Sequence, residues 1–139
     1  MKAIRIEATG GPDVMQWQDI TLPPPGPGEV QLRHTAIGLN FIDTYHRSGL
    51  YPIALPSGLG LEAAGVVEAV GEGVTLKVGT RVGYCWGPIG AYATHRNIAA
   101  GAVVPLPDGV SDEMAAAGLL KGCTTEFLVE RCAKVRPGD

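Results

Sequence analysis

The sequence predicts a mainly β fold of the α+β class, a barrel or sandwich of short strands with short helices. Three observations carry that reading. Glycine and proline are dense, 20 and 11 in 139 residues, and so many turn formers cut a chain into short strands. Apolar and polar residues alternate with period two through most of the N-terminal part. Helix signals gather in two places only, just after Asn40 and beyond Ser111.

The length allows one domain with a real core. An apolar fraction of 45% against 18% charged residues places the chain among globular proteins. Eleven basic and fourteen acidic side chains give a net charge of -3, which offers no footprint for nucleic acid or an anionic membrane. The cysteines, Cys85, Cys123 and Cys132, are odd in number and form no C-x-x-C pair. Neither a disulfide framework nor a cysteine zinc site is expected, and a reducing compartment is. The opening MKAIRIEATG has no apolar run long enough for a signal peptide or a membrane span, so a cytoplasmic protein is expected.

In order, Lys2–Ala8 alternates as a half-buried strand. Gly10-Gly11-Pro12-Asp13 is a turn, and Val14–Leu22 is a second strand suited to pair with the first. The run from Pro23 to Gly28 cannot join a ladder and is an exposed, extended connector. Glu29–Ile37 is a third strand, broken by Gly38. Asn40 can cap a short helix, with Asp43 at its third position reaching back as in a capping box. Asp43 and Arg47 have the spacing to pair, and Ser48-Gly49 ends the helix. Tyr51–Gly60 reads as a loop. Leu61–Val70 is the strongest strand, its AAGVV run implying burial on both faces.

The segments Val74–Val78, Arg81–Trp86, Ile89–Ile98 and Val103–Leu106 continue the β pattern. Past Pro107-Asp108-Gly109, Ser111 caps a helix with Asp112 and Glu113 in its favourable first turn. Gly118 and Gly122 are expected to interrupt it. A longer helix should run from about Thr124 to Lys134 and stop at Pro137-Gly138. An apolar-faced helix placed there looks like the entrance to a further domain.

The candidate site is Gly38–Tyr51, GLNFIDTYHRSGLY. It gathers an amide, a carboxylate and two phenols where strands turn, a mixture suited to a cleft. Tyr45 and Tyr51 can stack on a flat ring and donate a hydrogen bond to its oxygen; half-buried packing is the alternative. Asn40 can bond a ribose, an amide or a substrate, although helix capping alone accounts for Asn40 and Asp43. Lys121 and Thr124, in LKGCT, stand at the expected break between two helices, where free N–H groups and a hydroxyl can hold a polar ligand; a surface lysine and a cap is the alternative. His34, His46 and His95 lack a ligand spacing and are expected on the surface or in hydrogen bonds. Cys85 and Cys123 are expected as small core residues. Glu62 could orient partners in a cleft but reads first as the start of a strand.

The segments GLNFIDTYHRSGLY and PSGLGLEAAGVVEAVGEGV, the latter from Pro56, resemble the medium-chain dehydrogenase/reductase superfamily. Within it the likeness is to the zinc-free, zeta-crystallin-like quinone oxidoreductases. GGPDV at Gly10–Val14, KVGTRVGY at Lys77–Tyr84, GAYATH at Gly90–His95 and AAAGLLKGCTTEFL at Ala115–Leu128 follow the same order. The resemblance implies a GroES-like, partially open β-barrel as the catalytic domain over residues 1–123. Residues 124–139 would then be a helix and linker into a Rossmann domain that binds NADPH. No G-x-G-x-x-G stands between a strand and a helix here; Gly58-Leu59-Gly60 and Gly71-Glu72-Gly73 open no helix. The chain is therefore expected to be the catalytic part of a longer protein, a homodimer when full length and inactive by itself.

By the same resemblance the activity is NADPH-dependent reduction of quinones, or of another electrophilic carbonyl compound. Reduction of an enone or enoyl double bond and a non-enzymatic GroES-like binding module are the alternatives. Asn40, Phe41, Ile42, Asp43 and Tyr45 match the cofactor-contacting segment, and Lys121 and Thr124 fall on the cofactor side of the interdomain cleft. Asn40, Tyr45 and Tyr51 are the catalytic candidates. Zinc relatives place a ligand cysteine where Asn40 stands and a G-H-E histidine where Leu61 stands in Gly60-Leu61-Glu62. An amide and a leucine do not replace thiolate and imidazole, so no metal is expected.

Overall fold

The computed structural model describes residues 1–136 and Gly138. Among these residues, eight strands form two open, antiparallel sheets: β1 (Lys2–Ile6), β2 (Gln16–Asp19), β3 (Glu29–Gly38), β4 (Ser57–Gly58), β5 (Glu62–Val70), β6 (Arg81–Tyr84), β7 (His95–Ala99) and β8 (Val104–Pro105). The smaller sheet has the order β2-β1-β4, the larger β7-β3-β5-β6-β8. An isolated bridge between Ala3 and Ala93 joins the two regions. Helix α1 (Phe41–Ser48) follows β3, and α2 (Asp112–Glu126) follows β8. The mostly β architecture of open sheets with few helices is the one expected.

The core lies against the larger sheet, where Val30, Leu32, Val67, Val82 and Ile98 are buried. As the AAGVV run predicts, β5 is covered on both faces: on one by that cluster, on the other by Ala115 and Ala116 of α2, which meet Ala64. Helix α2 comes in close. A Cβ on Gly38 would lie 2.1 Å from the Ala116 carbonyl oxygen and 2.7 Å from Glu62 Oε2, so only glycine fits there. The start of α2 is tied down as well. The Ser111 hydroxyl accepts from the Met114 N–H (3.1 Å), the cap expected. Asp112 takes two hydrogen bonds from Arg81 (2.9 and 2.7 Å) and one from Thr35 (2.5 Å).

Several expected elements differ. Val14–Leu22 contributes only Gln16–Asp19, because Pro12–Val14 is a turn of 3-10 helix. Val74–Val78 is no strand; Val74 and Leu76 pack onto the core from a loop, so burial and not pairing explains their apolar character. Of Ile89–Ile98 only the part from His95 is strand. The N–H groups of Gly90 and Ala91 both go to the Gly60 carbonyl, which fixes a loop there (2.9 and 3.1 Å). Ser57 and Gly58, read as loop, add a short strand to β1. Val103–Leu106 reduces to Val104–Pro105.

Gly118 and Gly122 do not interrupt α2. Nothing stands within 4 Å of where their Cβ atoms would be, so both lie on the open side of the helix. Each costs about 1 kcal/mol of helix propensity, and docking of the alanine face on β5 offsets that. The helix passes into a π-helical stretch over Phe127–Ala133, ended by Lys134 in the left-handed conformation (φ 52°). The expected stop at Pro137-Gly138 falls partly outside the described residues, as do Pro137 and Asp139 of the expected linker.

Candidate functional site

Helix α1 forms as its sequence directs. Asn40 is the N-cap, its N–H donating to Asp43 Oδ2 (2.9 Å), and Gly49 closes the helix in the left-handed region (φ 85°). The anticipated pair of Asp43 with Arg47 does not form. Arg47 Nε donates to the Gly10 carbonyl (3.3 Å), while Asp43 Oδ2 accepts from the Tyr92 hydroxyl (2.8 Å). Burial, and then the bond to Asp43, pushes the Tyr92 phenol well above its ordinary range. Asp43 Oδ1 and the neighbouring His46 Nδ1 are buried without a hydrogen-bond partner.

The Asn40 side chain reaches beyond the helix. Its Nδ2 donates to Glu62 Oε2 (2.8 Å), and its Oδ1 accepts from Lys121 Nζ (2.8 Å). Lys121 Nζ also donates to Glu62 Oε2 (3.2 Å), and the Leu120 N–H donates to Glu62 Oε1 (2.7 Å). Glu62 is completely buried while the Lys121 side chain is 52% exposed. A carboxylate in such a place is tolerated only when paired and hydrogen-bonded. Three donors from α1 and α2 meet that need, and they hold the first residue of β5 against both helices.

This cluster floors a cavity of about 710 Å³, within the usual range for small-molecule sites. Asn40, Phe41 and Ile42 line one wall, Leu61, Cys85 and Trp86 a second. Leu120, Lys121, Cys123 and Thr124 of α2 form the third. Five residues predicted from the sequence, Asn40, Phe41, Ile42, Lys121 and Thr124, thus meet around one opening. The expected helix break at Lys121 and Thr124 is absent. Their backbone groups belong to a continuous helix, and the Thr124 hydroxyl donates back to the Leu120 carbonyl (2.9 Å). What Lys121 presents to the cavity is its ammonium.

Tyr45 and Tyr51 stand beside the cavity and not in its wall. They extend a row of rings from Phe41, with centroids 6.3 Å apart for Phe41 and Tyr45 and 5.3 Å for Tyr45 and Tyr51. Asp43 sits beneath, holding the helix start. His34 and His95 are hydrogen-bonded, as expected. His46 is neither surface nor bonded through Nδ1; it is buried with its ring edge against Tyr51. Cys85 and Cys123 are not core residues. Both line the cavity, with Sγ atoms 3.9 Å apart. Among the described residues no group of three or more His, Cys, Asp or Glu could hold a metal ion, and no helix is long and apolar enough to cross a membrane.

Sequence reasoning missed Trp86 and undervalued Glu62. Trp86 gives no signal in a β-rich segment, where tryptophan is ordinary. Glu62 does: a lone carboxylate at the head of a strand covered on both faces must find donors.

Three comparisons bear on this geometry. Residues 26–108 match the model of the alcohol dehydrogenase GroES-like domain. A quinone oxidoreductase of Pseudomonas aeruginosa is 54% identical over 99% of this chain and 43% of its own length. A 2-haloacrylate reductase of a Burkholderia species is 46% identical over 96% of this chain and 42% of its own. Among solved structures, Escherichia coli quinone oxidoreductase complexed with NADPH superposes with a TM-score of 0.97 at 45% identity, over all of this chain and 43% of that one. The chain thus spans less than half the length of these relatives.

Proposed function

The chain belongs to the family of the alcohol dehydrogenase GroES-like domain, and from that premise we propose that its cleft serves NADPH-dependent, zinc-free reduction of quinones. One observation carries the reading: a largely apolar cavity floored by a single polar cluster, with the Lys121 ammonium 2.8 Å from Asn40 Oδ1. The quinone oxidoreductase relatives and the NADPH of the structural neighbour support it. In this reading residues 1–123 are the catalytic unit, residues 124–139 lead towards a nucleotide-binding domain, and the full-length protein is a cytoplasmic homodimer.

The donor set fits NADPH. Asn40, Phe41, Ile42 and Tyr45 from α1, with Lys121 and Thr124 from α2, would hold it, and Asp43 fixes the start of α1. NADPH, when bound, supplies a hydride to an acceptor already poor in electrons. The chain's own residues do the rest by position. Phe41, Leu61, Trp86 and Leu120 line the cavity and would cover the reacting faces of what is bound there. Lys121, steadied by Glu62, places a positive charge where negative charge gathers on an acceptor oxygen. Tyr45 and Tyr51, beside the cavity along the row of rings from Phe41, would offer phenols and flat faces to an acceptor that extends out of it. Zinc-free chemistry is supported by the side chains themselves. Asn40 and Leu61 provide no anionic ligand, and a metal beside them would meet the ammonium of Lys121.

Reduction of an activated carbon–carbon double bond is the second reading, favoured by the likeness to the 2-haloacrylate reductase. The test is NADPH consumption by the full-length protein with a p-benzoquinone and, separately, with 2-chloroacrylate, each with and without a chelator. Turnover of the quinone, unaffected by chelation, is expected. Turnover of the acrylate alone selects the second reading; chelator-sensitive activity removes the zinc-free one.

A further inference from the structure

Cys85 follows directly on β6, and Cys123 lies on α2 two residues beyond Lys121. They are 38 positions apart in sequence, yet their sulfurs approach to 3.9 Å. Neither is sealed in the core: Cys123 is exposed and Cys85 half-buried. Both face the cavity, on the walls carrying Trp86 and Lys121. Packing does not explain this arrangement, because small apolar residues would fill the same places without exposing two thiols to a ligand's space.

We propose that Cys85 and Cys123 are a dithiol modification site, oxidised by a hydroperoxide to a reversible disulfide that ties α2 to the end of β6 across the cleft. The gap must close from 3.9 Å to about 2.05 Å. Cys123, the more exposed sulfur, attacks the peroxide O–O bond as its thiolate, becomes a sulfenic acid and releases hydroxide. Cys85 then displaces the sulfenic oxygen, and its proton leaves with that oxygen as water. The two sulfurs together lose two electrons, which the peroxide gains. Burial first, then Cys123, raises the Cys85 thiol from 9.0 to about 11, which keeps it protonated and leaves the first attack to the more exposed Cys123. Such reversible pairs are the form disulfides take where thiols are otherwise kept reduced.

The bond would lock the wall that presents Lys121, so oxidation would regulate the cleft. That consequence rests on the reduction reading, whereas the bond itself does not. The experiment is therefore chemical. Full-length protein is treated with equimolar hydrogen peroxide, then mapped by mass spectrometry and titrated for free thiols. The expected product has lost two thiols and two hydrogens per chain, yields a peptide joining Cys85 to Cys123, and reverts with dithiothreitol. Cys132→Ser leaves that product unchanged, whereas Cys85→Ser and Cys123→Ser each abolish it. A bond involving Cys132, a bond between two chains, or oxygen added at Cys123 with Cys85 still free would overturn the proposal. Loss of NADPH turnover in the untreated protein would count against the reduction reading alone.

Discussion

Two of the polar chains among the described residues end differently. One runs from Arg96 through Tyr84 to His34 inside the larger sheet. Arg96 Nη1 donates to the Tyr84 hydroxyl (3.3 Å), that hydroxyl bonds His34 Nε2 (3.0 Å), and His34 Nδ1 meets the Ala93 carbonyl (2.7 Å). A carbonyl can only accept, so Nδ1 carries the proton and Nε2 accepts from Tyr84. Every step ends on protein. The other chain, from Glu62 through Asn40 to Lys121, begins on a fully buried carboxylate and ends on a half-exposed ammonium at a cavity. A buried network whose hydrogen bonds are all spent is structural, and one that carries a charge to the edge of an apolar space is suited to a ligand. Breaking each chain should therefore give different signatures.

The largest effect is expected at Glu62. Glu62→Ala strands the Leu120 N–H, the Asn40 amide and the Lys121 ammonium, and should destabilise by roughly 3–5 kcal/mol. Urea unfolding measures it. Adding Lys121→Met should recover part of the loss, because it removes the ammonium that had lost its carboxylate. Two strictly additive losses would mean that Glu62 and Lys121 do not act as a unit.

The closed chain should show itself through pH instead. Burial, chiefly, lowers the His34 pKa from 6.5 to about 4, against the raising effect of the Ala93 carbonyl. The folded state thus refuses a proton that the unfolded chain accepts below pH 6.5. Stability should be full above that value and fall by about 3 kcal/mol as pH drops from 6.5 to about 4. Urea midpoints measured across that window should follow this slope in the parent and lose it in His34→Gln. An unchanged slope in the variant would place the buried titration elsewhere.

The contrast between the chains also marks what the sequence can disclose. The AAGVV run, the Asn40 cap, the Ser111 cap and the short strands were legible because each is set by neighbours in sequence. The helix break at Gly118 and Gly122 was misread, since a glycine costs a helix little when tertiary packing holds it. Val74 and Leu76 alternate like a strand yet pack from a loop, because alternation reports burial and not pairing. In the site, α1 was legible as a cluster of residue types. Trp86 and the meeting of the two cysteines were not, and Glu62 only in part, for their roles come from segments brought together only by the fold.

The smallest effect is expected beside the cavity, at Tyr45. Its ring lies between those of Phe41 and Tyr51, and phenylalanine preserves that packing. Tyr45→Phe should therefore change stability by less than about 0.5 kcal/mol. If the hydroxyl donates to the acceptor oxygen as negative charge builds on it, kcat/KM for a quinone in the full-length protein should fall about tenfold, about 1.4 kcal/mol of transition-state stabilisation. The loss should lie mainly in kcat, since a neutral quinone oxygen needs the donor less than a reduced one. An equal loss confined to KM would make Tyr45 a wall and not a donor. The ligand-facing role would then contract to Asn40 and Lys121, whose hydrogen bonds reach back to Glu62.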